Sequence, residues 1–161
     1  MPSGRGLNRP DLQMTREEKR RFLSTLYQLK REYAGQMSLD TNDVLKCLFN
    51  EHLDVGEGNN LVFDGCTAGT CAFNVSTDGS LTPCALWPTP IMNVTNLTIE
   101  GMMAQYQTNS IVHNMLDMNL KGRCGGCNLK YQCGGCRVRA LAATGDYLSE
   151  DPHCWYVEAG G

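Results

Sequence analysis

The sequence predicts an α+β fold: two N-terminal helices, then a small, irregular, cysteine-rich domain with a β-hairpin and short helices gathered around its thiols. Three observations predict it. Residues 1–60 hold one cysteine and two stretches of helical periodicity, whereas residues 61–161 hold the other eight cysteines. Thr77-Asp78-Gly79-Ser80 separates two short runs of β character, and Asp-Gly at such a place signals a hairpin, because a type I′ turn needs φ > 0 at both central residues. Cys124-Gly-Gly-Cys127-Asn-Leu-Lys-Tyr-Gln-Cys133-Gly-Gly-Cys136 places four thiols in thirteen residues, a density that leaves room for short elements only.

In chain order, the first helix begins after Thr15, which with Glu18 forms a capping box. Phe22, Leu26, Leu29 and Tyr33 recur at helical spacing, Leu23 and Tyr27 widen that stripe, and Arg16, Lys19, Arg20 and Lys30 occupy the wet side. Gly35 is the expected stop. A second helix follows Asp40 or Thr41 and turns Val44, Leu45, Leu48, Phe49 and His52 inward. Cys47, one turn from Val44, reads as a small buried hydrophobe. Two such helices bury little by themselves and look made to lie against a larger body. Gly-Glu-Gly-Asn-Asn at 56–60 reads as a linker between a helical part, residues 1–60, and the cysteine-rich part, residues 61–161.

With Asp78 and Gly79 at the centre of the hairpin turn, Phe73 would stand opposite Cys84, and Cys71 would sit at the open end. Cys71 and Cys84 would then be diagonal neighbours within reach of one metal centre. Residues 97–118 read as two short helices broken near Asn109, with the methionine-rich stripe of Met102, Met103 and Met115 taken as adaptable core. Arg137 to Thr144 forms another short helix, ended by Gly145.

Composition excludes several functions. Net charge is −3 with no basic block, so the phosphate-neutralising surface of a nucleic-acid-binding protein is absent. No run of about 18 apolar residues is present to span a membrane, and Met-Pro-Ser-Gly-Arg-Gly lacks the apolar core of a signal peptide. The Asn-x-Ser/Thr sequons at Asn74, Asn93 and Asn96 have no secretory context. A secreted disulfide framework would show an even cysteine count and an export signal, and both are missing. The expected compartment is the cytoplasm, where such thiol density reads as metal.

Eight cysteines, Cys66, Cys71, Cys84, Cys124, Cys127, Cys133, Cys136 and Cys154, suffice for two four-coordinate sites. Zinc is one reading, as a structural or protein-interaction module. The five residues between Cys127 and Cys133 are tight for two independent knuckles closing on one ion, although interleaved zinc sites could accommodate them. An iron–sulfur cluster is a larger object whose ligands approach from corners further apart, and compact cysteine runs plus distant single cysteines fit that logic.

Gly65-Cys66-Thr-Ala-Gly…Gly79-Ser-Leu-Thr-Pro-Cys84, then Cys124-x2-Cys127-x5-Cys133-x2-Cys136, then Cys154, resemble the SPASM domain, the auxiliary-cluster part of many radical SAM enzymes. The segment from Cys133 through Arg137-Val-Arg-Ala-Leu-Ala-Ala-Thr-Gly-Asp-Tyr-Leu-Ser-Glu-Asp-Pro-His-Cys154 is most similar to the haem-biosynthesis members, those of the haem d1 and alternative haem routes. Residues 2–6 resemble a segment late in the radical SAM barrel, which implies that the two N-terminal helices are the end of a truncated barrel. The resemblance implies two [4Fe-4S] clusters, one on Cys66, Cys71, Cys84 and Cys136, the other on Cys124, Cys127, Cys133 and Cys154. Many relatives have x3 where this chain has x2 in the last gap, so the eight-ligand set is firmer than its partition.

The SAM-binding cluster of that family needs Cys-x3-Cys-x2-Cys, and no such spacing occurs in this sequence. S-adenosylmethionine would be bound only if a separate barrel supplied its site. The resemblance therefore implies electron transfer and substrate docking rather than SAM cleavage, with a radical SAM barrel chain or an electron donor as partner and a tetrapyrrole or a peptide as substrate. Arg137 and Arg139 are candidate contacts for a substrate carboxylate or propionate, against the alternative that they are structurally paired or solvated. His52 and His113 read as ordinary histidines. His153, beside Cys154, could donate to a cluster sulfur.

Overall fold

The computed structural model describes residues 6, 9–49 and 65–156. His52, the linker at 56–60 and the segment before Gly6 lie outside the described residues.

Helix α1 (Arg16–Glu32) opens on the expected capping box, with Thr15 Oγ1 accepting from Glu18 N–H and Glu18 accepting from Thr15 N–H. Its buried residues are Leu23 and Tyr27, the pair expected to widen the stripe, while Phe22, Leu29 and Tyr33 are 48%, 38% and 38% exposed. The helix makes contact along one edge because Tyr27 stacks on Phe49, ring centroids 5.0 Å apart. Lys19, expected on the wet side, is instead drawn in by Asp43 at 2.6 Å.

The second helical segment is a 3-10 helix, Val44–Phe49, with Val44, Leu45 and Cys47 buried. It is short and tightly wound because Asp43 both starts it through its carbonyl to Lys46 N–H and caps it through its carboxylate to Leu45 N–H. Leu23, Val44, Leu45 and Cys47 share one buried cluster with Cys133, Cys136 and Val138. The N-terminal helical residues therefore lie against the cysteine-rich segments themselves.

Strands β1 (Asn74–Val75), β2 (Ser80–Thr82) and β3 (Met92–Asn93) form an antiparallel sheet in that order. The hairpin is present, but its register differs from expectation: Asn74 pairs with Thr82 and Val75 with Leu81. Extending that register puts Phe73 opposite Pro83, so Phe73 and Cys84 are not partners. The cause is a three-residue loop, Thr77-Asp78-Gly79, in which Gly79 alone takes positive φ, +77°, and its N–H returns to Ser76 O at 3.0 Å. Asp78 keeps ordinary φ and braces the turn through Ser80 N–H and Oγ, both at 3.0 Å. A one-residue slip reverses the face on which every side chain stands, which is why Phe73 packs on Tyr106 rather than across from a cysteine.

Helices α2 (Ile99–Thr108) and α3 (Ser110–Leu116) break at Asn109 as expected; its side chain accepts from Ile111 and Val112 N–H and caps α3. Met115 and Met118 are buried, and Met103 is exposed. Three short helices follow: α4 (Gly122–Gly126), α5 (Lys130–Cys133) and α6 (Arg137–Thr144), the last ended by Gly145 in the left-handed region. Among the described residues no helix is long and apolar enough to cross a membrane.

Candidate metal centre

None of the nine cysteines forms a disulfide. Cys124 lies on α4, Cys127 caps its end, Cys133 ends α5, and Cys136 precedes α6. Between the last two, Gly134 and Gly135 take φ +64° and +58°. This reversal is open to glycine at little cost, and it turns the Gly135 N–H back onto Cys133 Sγ at 3.4 Å.

A cavity of about 340 Å³ opens between these elements, lined by Cys124, Cys127, Cys133 and Cys154, with Leu48 of the 3-10 helix and Tyr156 in its wall. Donors face its sulfurs. Asp151 N–H reaches Cys124 Sγ at 3.5 Å, and Arg137 Nη2 reaches the same sulfur at 3.8 Å. Burial raises Cys154 to about 11, with the neighbouring thiols Cys133 and Cys124 adding to the rise. Cys133 moves the other way: a hydrogen bond with Cys47 lowers it against the effect of burial, and Gly135 N–H assists.

A second group comprises Cys66, Cys84 and Cys136. Burial raises Cys136 to about 11 and also raises Cys84, and Cys66 presses electrostatically on both. Cys66 N–H donates to Cys133 O at 2.9 Å, which ties the groups together across a close backbone approach. A Cβ on Gly65 would stand 2.1 Å from that oxygen. Cys71, placed with this group by resemblance, is exposed on the 67–72 turn and held by Thr67 O.

Among the described residues no three His, Cys, Asp or Glu side chains converge as they would on a single ion. The thiols of the first group are instead among the residues that line the cavity. Four thiols on one cavity, with N–H groups aimed at two of the sulfurs, are a donor set that fits a thiolate-held metal group.

The two arginines are deep inside the protein, 3% and 1% exposed. Arg137 donates to the carbonyls of Tyr147, Ser149 and Gly135 as well as to Cys124 Sγ. Arg139 forks onto Asp151 and onto Asp43. Both guanidinium groups are thus paired with the protein's own acceptors, the alternative reading given for them above. His113 is exposed. His153 is half-buried with no partner on Nδ1, and burial lowers its pKa.

Sequence reasoning missed Asp43, Asp151 and the contact of Cys47 with Cys133. Asp151 had a legible signal, an acid three residues before Cys154 and within the very motif that carries the resemblance. Asp43 and Cys47 had none, since Arg139 and Cys133, which they meet in the cysteine-rich part, are more than 80 residues away.

No protein-family model and no solved structure matches the chain. Over 93 residues it is 34% identical to the AdoMet-dependent heme synthase of Methanosarcina barkeri (strain Fusaro / DSM 804), a stretch that is 57% of this chain and 26% of that protein. The chain thus spans about a quarter of the length of that relative.

Proposed function

We propose that this chain carries two auxiliary [4Fe-4S] clusters in a SPASM-like arrangement and serves electron transfer and substrate docking for radical SAM chemistry. Cys124, Cys127, Cys133 and Cys154 would hold one cluster, and Cys66, Cys71, Cys84 and Cys136 the other. The observation that carries this reading is the single cavity lined by Cys124, Cys127, Cys133 and Cys154, four thiols from three separate stretches of chain.

Two further features support it. The cavity of about 340 Å³ gives these four thiols more room than one tetrahedral ion takes, as a polynuclear cluster would need. Backbone and guanidinium N–H groups face Cys124 and Cys133 sulfur, and such donors stabilise thiolate charge and set a cluster's potential. When bound, a cluster with four thiolates exchanges electrons and leaves no iron open to substrate. The chain's own residues exclude water and fix the thiols: Leu48 forms part of one wall, and the Gly-Gly turn brings the Gly135 N–H back onto Cys133 sulfur. Ligation by Cys71 requires the 67–72 turn to close toward Cys66. The similarity to a heme synthase favours a tetrapyrrole substrate over a peptide. S-adenosylmethionine and its cluster belong to a radical SAM barrel acting with this part.

Iron, acid-labile sulfide and zinc content of anaerobically purified protein tests the reading. About 8 iron and matching sulfide per chain is expected for two cubanes. Zinc without sulfide overturns it in favour of a structural module.

A further inference from the structure

Asp151 is wholly buried, and its polar atoms serve both thiol groups. Its Oδ2 accepts from Cys136 N–H at 2.7 Å. Its own N–H donates to Cys124 Sγ at 3.5 Å, and its carbonyl accepts from Cys154 N–H at 3.1 Å. Oδ1 also accepts from His153 N–H at 3.0 Å. Three cysteine-bearing segments, two from the first proposed cluster site (Cys124 and Cys154) and one from the second (Cys136), are thus fixed to one side chain and its backbone. Arg139 holds the carboxylate from the other side at 2.6 to 3.1 Å and is itself forked onto Asp43.

A buried carboxylate near thiolates disfavours their ionisation, so neutral hydrophobic packing would be the lower-cost way to fill this space. What the carboxylate does that packing cannot is accept from several donors at once. Every partner of Oδ1 and Oδ2 is a donor: two backbone N–H groups and the Arg139 guanidinium. An asparagine would have to turn its NH2 toward one of them, leaving two donors face to face.

On the two-cluster reading above, we propose that Asp151 is the positioning residue shared by both clusters, presetting the Cys124, Cys136 and Cys154 segments before metal arrives and coupling the loading of the two sites. It touches no iron and no substrate.

The experiment compares the parent chain with Asp151→Asn after anaerobic reconstitution with ferrous iron and sulfide. Asp151→Asn is expected to lose iron to a chelator about 10–100-fold more readily, the size typical of an outer-shell partner. The EPR signals of both reduced clusters should shift together, because one residue sets both ligand frames. Parental g-values in Asp151→Asn, or a change confined to one cluster, overturn the proposal. A second measurement needs no variant: amide hydrogen exchange of the metal-free parent. Cys136 and His153 amides should already be protected. Free exchange there, with protection appearing only on metal loading, would show that metal and not Asp151 orders the loops. Failure of the parent to take up iron and sulfide would sink the cluster reading, whereas the exchange result stands independently of it.

Discussion

Asp43 and Arg139, 96 residues apart, meet fork on fork, with Nη1 to Oδ2 at 2.8 Å and Nη2 to Oδ1 at 3.2 Å. The pair fastens the 3-10 helix to α6, and Lys19 of α1 joins it at 2.6 Å. The Arg139 side chain is 1% exposed and that of Asp43 11%. Removing one partner of such a pair strands a buried charge, so the helical N-terminal residues and the thiol-bearing segments are electrostatically committed to one another.

An acid-sensitive stability follows. Burial pushes the Asp43 carboxyl up, but Arg139, Lys19 and the Leu45 N–H together outweigh it and hold the group at about 2, against an ordinary 3.8. A folded value below the unfolded one stabilises above the ordinary value, and that contribution is lost as pH falls from 3.8 toward 2. It amounts to at most about 2 kcal/mol. Urea midpoints followed by tryptophan fluorescence should fall across that window in the parent, while Asp43→Asn should be less stable at neutral pH and flatter there. Parallel pH profiles would contradict the assignment.

The two thiol groups should separate by mutation. Cys127→Ala is expected to lower iron content by about half, and Cys84→Ala to lower it by a similar amount, each abolishing a different EPR signal. Loss of the same signal in both variants would merge the two sites into one.

Gly65→Ala tests the seam between the groups. The new Cβ would meet Cys133 O at 2.1 Å and Gln132 O at 2.4 Å, both backbone atoms that cannot rotate away. Overpacking of this kind costs about 1–3 kcal/mol, and it would part Cys66 N–H from Cys133 O. Thermal unfolding should show the loss, together with a drop in iron; a variant with parental Tm would mean the chains spread at no cost.

Cys47→Ala should cost about 1 kcal/mol for the lost buried sulfur while iron content stays at the parental level, since Cys47 does not line the cavity. A fall in iron would promote Cys47 from neighbour of Cys133 to ligand.

Much of this architecture could be read locally. The capping box at Thr15, the break at Asn109 and the stop at Gly145 are each set by residues within one turn of themselves, and each is where the pattern puts it. The hairpin turn was legible but its register was not, because Asp78-Gly79 suits a two-residue loop and a three-residue loop alike. The face of α1 was misjudged for a related reason: six apolar residues spread over more than half of the helix, and which edge is buried depends on Phe49, beyond any local window. Whether Arg139 met a ligand or a structural partner was not legible locally, because both its acids, Asp43 and Asp151, come from other elements. Cys124, Cys127, Cys133 and Cys154, a set that only the resemblance implied, line one cavity, whereas the exposure of Cys71 follows from a turn whose closure no spacing rule describes.

Asp151 also imposes an order in time. All four thiols of the proposed second site, Cys66, Cys71, Cys84 and Cys136, have been synthesised once Cys136 is made, 18 residues before Cys154 completes the first. Yet the Cys136 amide has no acceptor until Asp151 follows. At about 5–20 residues per second, a growing chain would hold a nominally complete but unbraced set of thiols for roughly one to three seconds. Both sites then acquire their final geometry within the same few residues of synthesis, so cofactor insertion becomes a single late event rather than two successive ones.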